Sequence, residues 1–181
     1  TRVRSSAASD VYKRQLNPRF ATAERYQTAQ RGRWSIAVLT RLPIVGDGLI
    51  DLGRLRRDRA RRAALVVWVA VGGKRVAVVG THLSHLTHGS PLQFCRLARA
   101  LPQVTGGAPA VLAGDMNLWG PPLQVFFSGW RRTVRGRTWP SWRPHSQLDH
   151  LLVQGLTMEH GEVGPHLGSD HRPVVVRLAL S

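Results

Sequence analysis

Apolar residues in this chain gather into short runs separated by glycine, proline and charged stretches, and the runs switch between strand and helix periodicity. Trp34 to Thr40 is a strand-like run closed by Arg41-Leu42-Pro43. Residues 44–53 mix Gly and Asp with apolar positions and read as a loop. Ala63 to Val71 and Arg75 to Leu83 are β-rich, with Gly72-Gly73 between them. Two such runs around Gly-Gly predict a hairpin, because both central turn positions tolerate positive φ. Both are nearly all apolar near the turn, which predicts two covered faces. Ser90-Pro91-Leu92-Gln93 opens a helix: Ser caps, Pro suits the first turn, and Gln three residues on completes a capping box. Phe94, Leu97, Ala98 and Leu101 then form one apolar stripe. Ala110 to Ala113 is a short buried strand running into Gly114, and Pro121-Pro122 lead a short helix towards Phe127. Gln147 to Val153 is a strand with Asp149 inside it, and Pro173 to Leu180 is the last strand, where Pro at the start is tolerated. The pattern is mixed α/β with several antiparallel pairs, not the βαβ alternation of a nucleotide-binding sheet.

Composition bounds this picture. A length of 181 residues suggests one domain, and 43% apolar residues suffice for a core. No run reaches the roughly 18 apolar residues of a membrane span. One cysteine, Cys95, excludes an internal disulfide framework and a Cys-rich zinc module. The formal charge of +16 argues against a basic substrate and favours a polyanionic partner. Only Lys13 and Lys74 are lysines, and so strong an arginine bias also arises from a GC-rich genome. The start of the chain is atypical. Residue 1 is Thr, and Asp10-Val11-Tyr12-Lys13-Arg14-Gln15 resembles a translated sequencing-adapter scar of assembled environmental gene fragments. Residues 1–15 are therefore expected to be a non-native or disordered tail, and residues 16–181 a partial domain. The compartment is not legible from such a start.

Four polar constellations fall at strand ends: Thr81-His82-Leu83, Gly114-Asp115-Met116-Asn117, Leu148-Asp149-His150, and Gly168-Ser169-Asp170-His171-Arg172-Pro173. If residues 115–117 continue the extended strand, Asp115 and Asn117 point to one side. Asp115 taken singly reads as a turn or cap residue. Asp149 inside an apolar strand is more informative, because strand interiors disfavour Asp. Carboxylates and imidazoles at strand ends are costly to bury unless paired or metal-bound. Convergence of all four at one sheet edge would suit phosphoryl transfer, with oxygen ligands for Mg²⁺, a base for water and donors for phosphate.

The strings Ile36-Ala-Val-Leu-Thr-Arg-Leu-Pro-Ile44, Val79-Gly-Thr-His-Leu-Ser84, Val111-Leu-Ala-Gly-Asp-Met-Asn117, Gln147-Leu-Asp-His-Leu-Leu-Val153 and Gly168-Ser-Asp-His-Arg-Pro-Val174 resemble, in this order, the endonuclease/exonuclease/phosphatase superfamily, also called deoxyribonuclease-I-like. The resemblance implies a two-sheet α/β sandwich with mostly antiparallel or mixed sheets, outer helices and, here, its first strands missing. It implies hydrolysis of phosphate esters with Mg²⁺ or Mn²⁺. By the match, Asp115 would position or deprotonate the attacking water, and Asn117 would hold that nucleophile and a phosphate oxygen. His171 would bind the scissile phosphate. Asp149 would orient His171 and favour its imidazolium. Asp170 would be a metal ligand, His82 would contact the phosphate or aid the leaving oxygen, and Arg41 would contact substrate.

The chain departs from the family pattern upstream. The family has an Asn on its first strand and a metal-binding Glu, usually in a Gln-Glu pair, well before the Ile36 strand. Here Glu24 is the only acid between residue 16 and that strand; it lacks a preceding Gln and reads as a solvated helix residue. The chain is thus expected to lack a principal metal ligand and to turn over weakly or not at all, which an assay with Mg²⁺ checks.

Trp130, Trp139 and Trp142 interleave with Arg131, Arg132, Arg135, Arg137 and Arg143, a composition that can stack bases and grip phosphates, or simply place Trp in the core beneath an Arg-rich surface. The Arg54–Arg62 run reads as a solvated loop. His82, His85 and His88 imitate zinc spacing, but no Cys supports zinc. The leading reading is a divalent-metal phosphodiesterase with DNA or RNA as substrate. The alternatives are a phospholipid-headgroup or sugar-phosphate substrate on the same site, or a catalytically dead basic binding fragment. No stable protein partner is implied, and membrane contact is left open.

Overall fold

The computed structural model describes residues 17–21, 36–55, 58, 60–85 and 90–181. Among them the strands are β1 (Asn17–Ala21), β2 (Ile36–Thr40), β3 (Ile44–Arg54), β4 (Arg61–Val71), β5 (Lys74–His82), β6 (Ala110–Asp115), β7 (Arg131–Arg132), β8 (Asp149–Gln154), β9 (Leu156–Val163) and β10 (Val174–Leu180). The described helices are α1 (Ser90–Thr105) and α2 (Gly120–Phe126). Residues 1–15, expected to be a tail, and Glu24 lie outside the described residues, as do His88 and Arg56, Arg57 and Arg59 of the arginine run.

A six-stranded sheet in the order β3-β4-β5-β6-β8-β7 forms the middle layer. All its described pairs are antiparallel except β5–β6, which is parallel and joined through α1. The predicted hairpin is β4–β5, with Gly72 and Gly73 at φ 54° and 76°. Side chains alternate across β4. Ala64 and Val66 face a core shared with Phe94, Leu97 and Leu101 of α1. Leu65, Val67 and Val69 face a second core with Ile36 and Val38 of β2 and Leu178 and Leu180 of β10. Hence both faces of the hairpin are covered, as its unbroken apolar runs require. The outer layer on the second face consists of two two-stranded ribbons, β1–β2 and β9–β10. The result is the sandwich of sheets with outer helices expected from the resemblance.

Three local readings change. Residues 44–53 form most of β3, not a loop; their Gly and Asp residues sit on an edge strand, where one ladder with β4 (Leu49 opposite Leu65) suffices to hold extended backbone. The arginine run is not wholly solvated. Arg62 is buried, its Nε 2.8 Å from the buried Asp58 carboxylate. Strand β9 escaped the sequence reading because Thr157 to Glu162 carries little apolar alternation, yet it pairs β10 along its length. A helix begins at Ser90 as expected, but Gln93 serves elsewhere than in a capping box: its Oε1 accepts from Ser84 N–H at 3.0 Å, and Ser90 Oγ donates to Ser84 C=O at 3.2 Å.

Candidate active site

Register alone brings three of the polar residues into a row. His82 is the last residue of β5 and lies opposite Asp115, the last of β6. Asp115 lies opposite Asp149, the first of β8. Neighbouring strands are ~4.8 Å apart, so three side chains at matching heights meet at one sheet edge. The ladder continues past the strand ends, with Leu83 N–H donating to Asp115 C=O and Met116 N–H to Leu148 C=O, both at 2.9 Å. Gly114 permits this closeness. Its φ is 149°, and a Cβ there would stand 1.8 Å from the Thr81 carbonyl oxygen.

His171 arrives from the segment before β10. Its Nδ1 donates to Asp149 Oδ2 at 2.7 Å, and its Nε2 lies 3.9 Å from Asp115 Oδ2. His82 Nε2 approaches the same Asp115 oxygen at 3.6 Å. Two imidazoles therefore flank one carboxylate oxygen. Ligand atoms of Asp115, Asp149 and His171 all lie within 4.8 Å of one another, an arrangement that can hold a metal ion.

The environment separates the charges. Burial, reinforced by the nearby Asp149 carboxylate, pushes Asp115 up from the ordinary carboxylate range. Asp149 works against its own burial: hydrogen bonds from His171 and Thr138 hold it below that range. The Asp149 hydrogen bond, opposed by burial, raises His171. His82 is pushed down to about 3, first by burial and then by the Arg62 guanidinium. At neutral pH His82 is thus a neutral imidazole, while His171 holds its proton more tightly than an ordinary imidazole does.

Asn117 departs from the extended reading. It has φ 49°, and its N–H donates to Asp115 Oδ1 at 2.9 Å. Asp115 is therefore both a turn residue and a site residue. The Asn117 Nδ2 donates to Leu83 C=O at 3.0 Å, tying the β6 turn to the end of β5. Asp170 is exposed and stands outside the metal-competent trio, although its charge adds to the field that raises His171. Arg41 is exposed in the turn between β2 and β3. Of the Trp residues, Trp130 is in the core, whereas Trp119 and Trp142 are exposed.

Sequence reasoning missed the braces. Thr138 is fully buried; its Oγ1 accepts from Leu148 N–H at 3.1 Å and Asp149 N–H at 3.2 Å, and its hydroxyl donates to the Asp149 carboxylate. Ser141 N–H donates to Asp170 C=O, and Arg172 Nε to Ser141 C=O, each at 2.8 Å, clipping the His171 segment in place. Nothing in Arg137-Thr138-Trp139-Pro140 distinguishes it from an ordinary loop. Buried His150 lies on the other face of β8 and uses Nε2 against Leu118 C=O at 2.8 Å, fixing the turn after Asn117. On the far side, Arg62 Nη1 reaches His82 C=O at 3.4 Å.

A family model described as Endonuclease/Exonuclease/phosphatase family matches residues 3–171. Among curated proteins, a UPF0294 protein of Vibrio cholerae is 29% identical over 119 residues, covering 60% of this chain and 41% of that protein. The chain thus spans about two fifths of the curated relatives it matches. Among solved structures, the human nocturnin catalytic domain with bound sulfate superposes with a TM-score of 0.77 at 16% identity, over 96% of this chain and 75% of that one. A mannosyl-6-phosphatase of Bacteroides thetaiotaomicron gives a TM-score of 0.70 at 16% identity, over 90% and 74% of the two chains. At these identities the structural likenesses speak for the fold.

Proposed function

This chain belongs to the endonuclease/exonuclease/phosphatase family, and from that premise we propose that it is a divalent-metal-dependent phosphoesterase that hydrolyses phosphodiester bonds, with DNA or RNA as the favoured substrate. The observation that carries the reading is the meeting of Asp115, Asp149 and His171 at the ends of adjacent strands. The donor set fits a divalent cation. Carboxylates suit hard Mg²⁺ or Mn²⁺. Asp115 and Asp149 would hold it, with Asp170, which the family match assigns to the metal, as a further carboxylate, and His171 beside them left for the phosphate. When bound, such an ion supplies Lewis acidity to the phosphoryl oxygens.

The chain's own residues supply the rest. Asp115, with its raised proton affinity, takes the proton of the attacking water. His171, kept protonated by Asp149, offers Nε2–H to a phosphoryl oxygen as charge develops there. Neutral His82 donates a hydrogen bond to the phosphate without adding charge. Asn117 holds the β6 turn against β5 and keeps its carboxamide oxygen for the attacking water. Arg41 joins as a substrate-contacting cation. The basic, arginine-rich chain supports a polyanionic ester over a small neutral one.

The purified chain incubated with Mg²⁺ or Mn²⁺ and a panel of bis(p-nitrophenyl) phosphate, single-stranded oligonucleotide, sugar phosphate and phosphatidylglycerol vesicles tests this. Expected is metal-dependent cleavage of the diesters, abolished in His171→Ala. Hydrolysis indifferent to metal or to His171 contradicts it, and preference for the sugar phosphate or the lipid moves the substrate elsewhere.

A further inference from the structure

Next to this site lies an open pocket lined by Pro121, Gln124, Arg132 and Arg135. Arg61 and Arg62 pair with Asp51 and Asp58, but among the described residues neither Arg132 nor Arg135 has a carboxylate at ion-pair distance. The polar contact of the Arg132 head group is a long one, 3.5 Å to Gln147 Oε1, and its buried Nε has no acceptor. Burial and the neighbouring Arg135 both disfavour its charge. Two like charges held together over a concave surface favour an anion as their shared partner.

The local backbone makes room for this. A Cβ on Gly120 would stand 1.5 Å from Arg132 Nη1, so only a residue without a side chain lets the guanidinium lie there. The pocket is also close to the chemistry. Gly120 follows Asn117 by three residues, and Gln147, which touches Arg132, also donates from Nε2 to Asp149 C=O at 3.4 Å. Trp119, 65% exposed, immediately precedes Gly120 and offers an aromatic surface to solvent.

We propose that Arg132 and Arg135 form a second anion subsite, which grips a non-scissile phosphate of a polynucleotide while Trp119 stacks on an adjacent base. The subsite rests on the phosphodiesterase reading and refines it: it selects substrates with a second phosphate beside the one cleaved. A planar fork such as guanidinium suits this better than a point charge.

Binding of a fluorescent single-stranded hexanucleotide in EDTA, read by anisotropy across a salt series, tests the subsite without needing turnover. Arg135→Ala, an exposed position, is expected to weaken binding ~10-fold and to lower the salt slope by ~0.7, the loss of one phosphate contact on a single strand. Gly120→Ala is expected to weaken binding comparably at unchanged net charge, because it displaces the Arg132 guanidinium. Arg177→Ala, at an exposed position on β10, is the control for general electrostatics. Binding equal to wild type in Arg135→Ala and Gly120→Ala, or an equal loss in Arg177→Ala, overturns the proposal. So does an Arg135 requirement seen only with phosphatidylglycerol vesicles. Metal-dependent hydrolysis of bis(p-nitrophenyl) phosphate, which carries one phosphate, is expected to be unchanged in Arg135→Ala. If that ester is cleaved but oligonucleotide binding ignores the pocket, the subsite fails and the phosphoesterase reading stands. If no ester is cleaved but binding depends on the pocket, the reverse holds.

Discussion

Two carboxylates in one cleft, Asp115 and Asp149, are driven in opposite directions by their surroundings. Asp149 has dedicated donors in His171 and Thr138, whereas Asp115 has chiefly the Asn117 amide and the repulsion of its neighbour. On the proposed mechanism this divergence would divide the roles: the stabilised carboxylate would orient an imidazole, and the destabilised one would accept protons. Asp149→Asn should keep the shape of the pair but lose the charge that sustains the imidazolium. We expect kcat on bis(p-nitrophenyl) phosphate to fall by ~100-fold or more, with the circular dichroism spectrum unchanged. Thr138→Val should act more weakly and through stability as well, because it strands the Leu148 and Asp149 N–H groups in a buried position. A loss of ~1–3 kcal/mol in denaturant unfolding is expected, substantially recovered by Thr138→Ser. Asp115, Asp149 and His171 were legible as residues because their types are costly at strand ends. Thr138 was not, since a threonine in a loop carries no such signal and its value comes only from what folds over it.

At the level of elements, the site is a consequence of register. β5 and β6 end at His82 and Asp115, β8 begins at Asp149, and the ladders set these residues side by side. Apolar runs told where those strands lie, because central strands covered on both faces must be continuous in hydrophobicity. Edge and ribbon strands were harder to see. β3 carries Gly46, Asp47, Gly48 and Asp51, and β9 carries exposed Glu159, His160 and Glu162; both owe their extension to partners rather than to their own pattern. Asn117 was misplaced for a related reason: β6 ends two residues earlier, and the chain turns through a positive φ instead of continuing extended. The β5–β6 contact is the most sensitive point of the arrangement. Gly114→Ala would place a methyl carbon against the Thr81 carbonyl in a backbone conformation that L side chains rarely adopt. The expected result is a stability loss of at least ~2 kcal/mol by denaturant titration, together with a drop in activity larger than that loss explains. An active, equally stable Gly114→Ala protein would mean that β5 and β6 tolerate separation at their ends.

For the molecule as a whole, electrostatics are lopsided: 26 basic residues face 10 acidic ones. Acids are scarce enough that each buried one matters, and Asp58 shows how. It lies under the β3–β4 connection, accepts from Ala60 N–H at 3.0 Å, and pairs with buried Arg62, whose guanidinium also reaches His82 C=O. Burial opposes its charge, but Arg62 and the Ala60 amide overcome this and hold Asp58 below 3.8. A carboxyl with a lower pKa in the folded state than in the unfolded state contributes stability that is complete above the unfolded value. That contribution is lost as pH falls through the folded one. Wild type should therefore exceed Asp58→Asn in melting temperature by a constant margin at pH 5 and above. The margin should shrink progressively below pH ~4, where protonation removes from wild type what the substitution removed already. Its plateau reflects a buried guanidinium left without its counter-charge, about 3–5 kcal/mol, or ~10 °C for a domain of this size. A margin that stays level into strong acid would mean the pair adds nothing beyond packing. Because Arg62 supports the end of β5, the same titration should loosen His82 before the sheet as a whole unfolds. Hydrogen exchange at Leu83 and Ser84 is then expected to accelerate at a higher pH than exchange in β4.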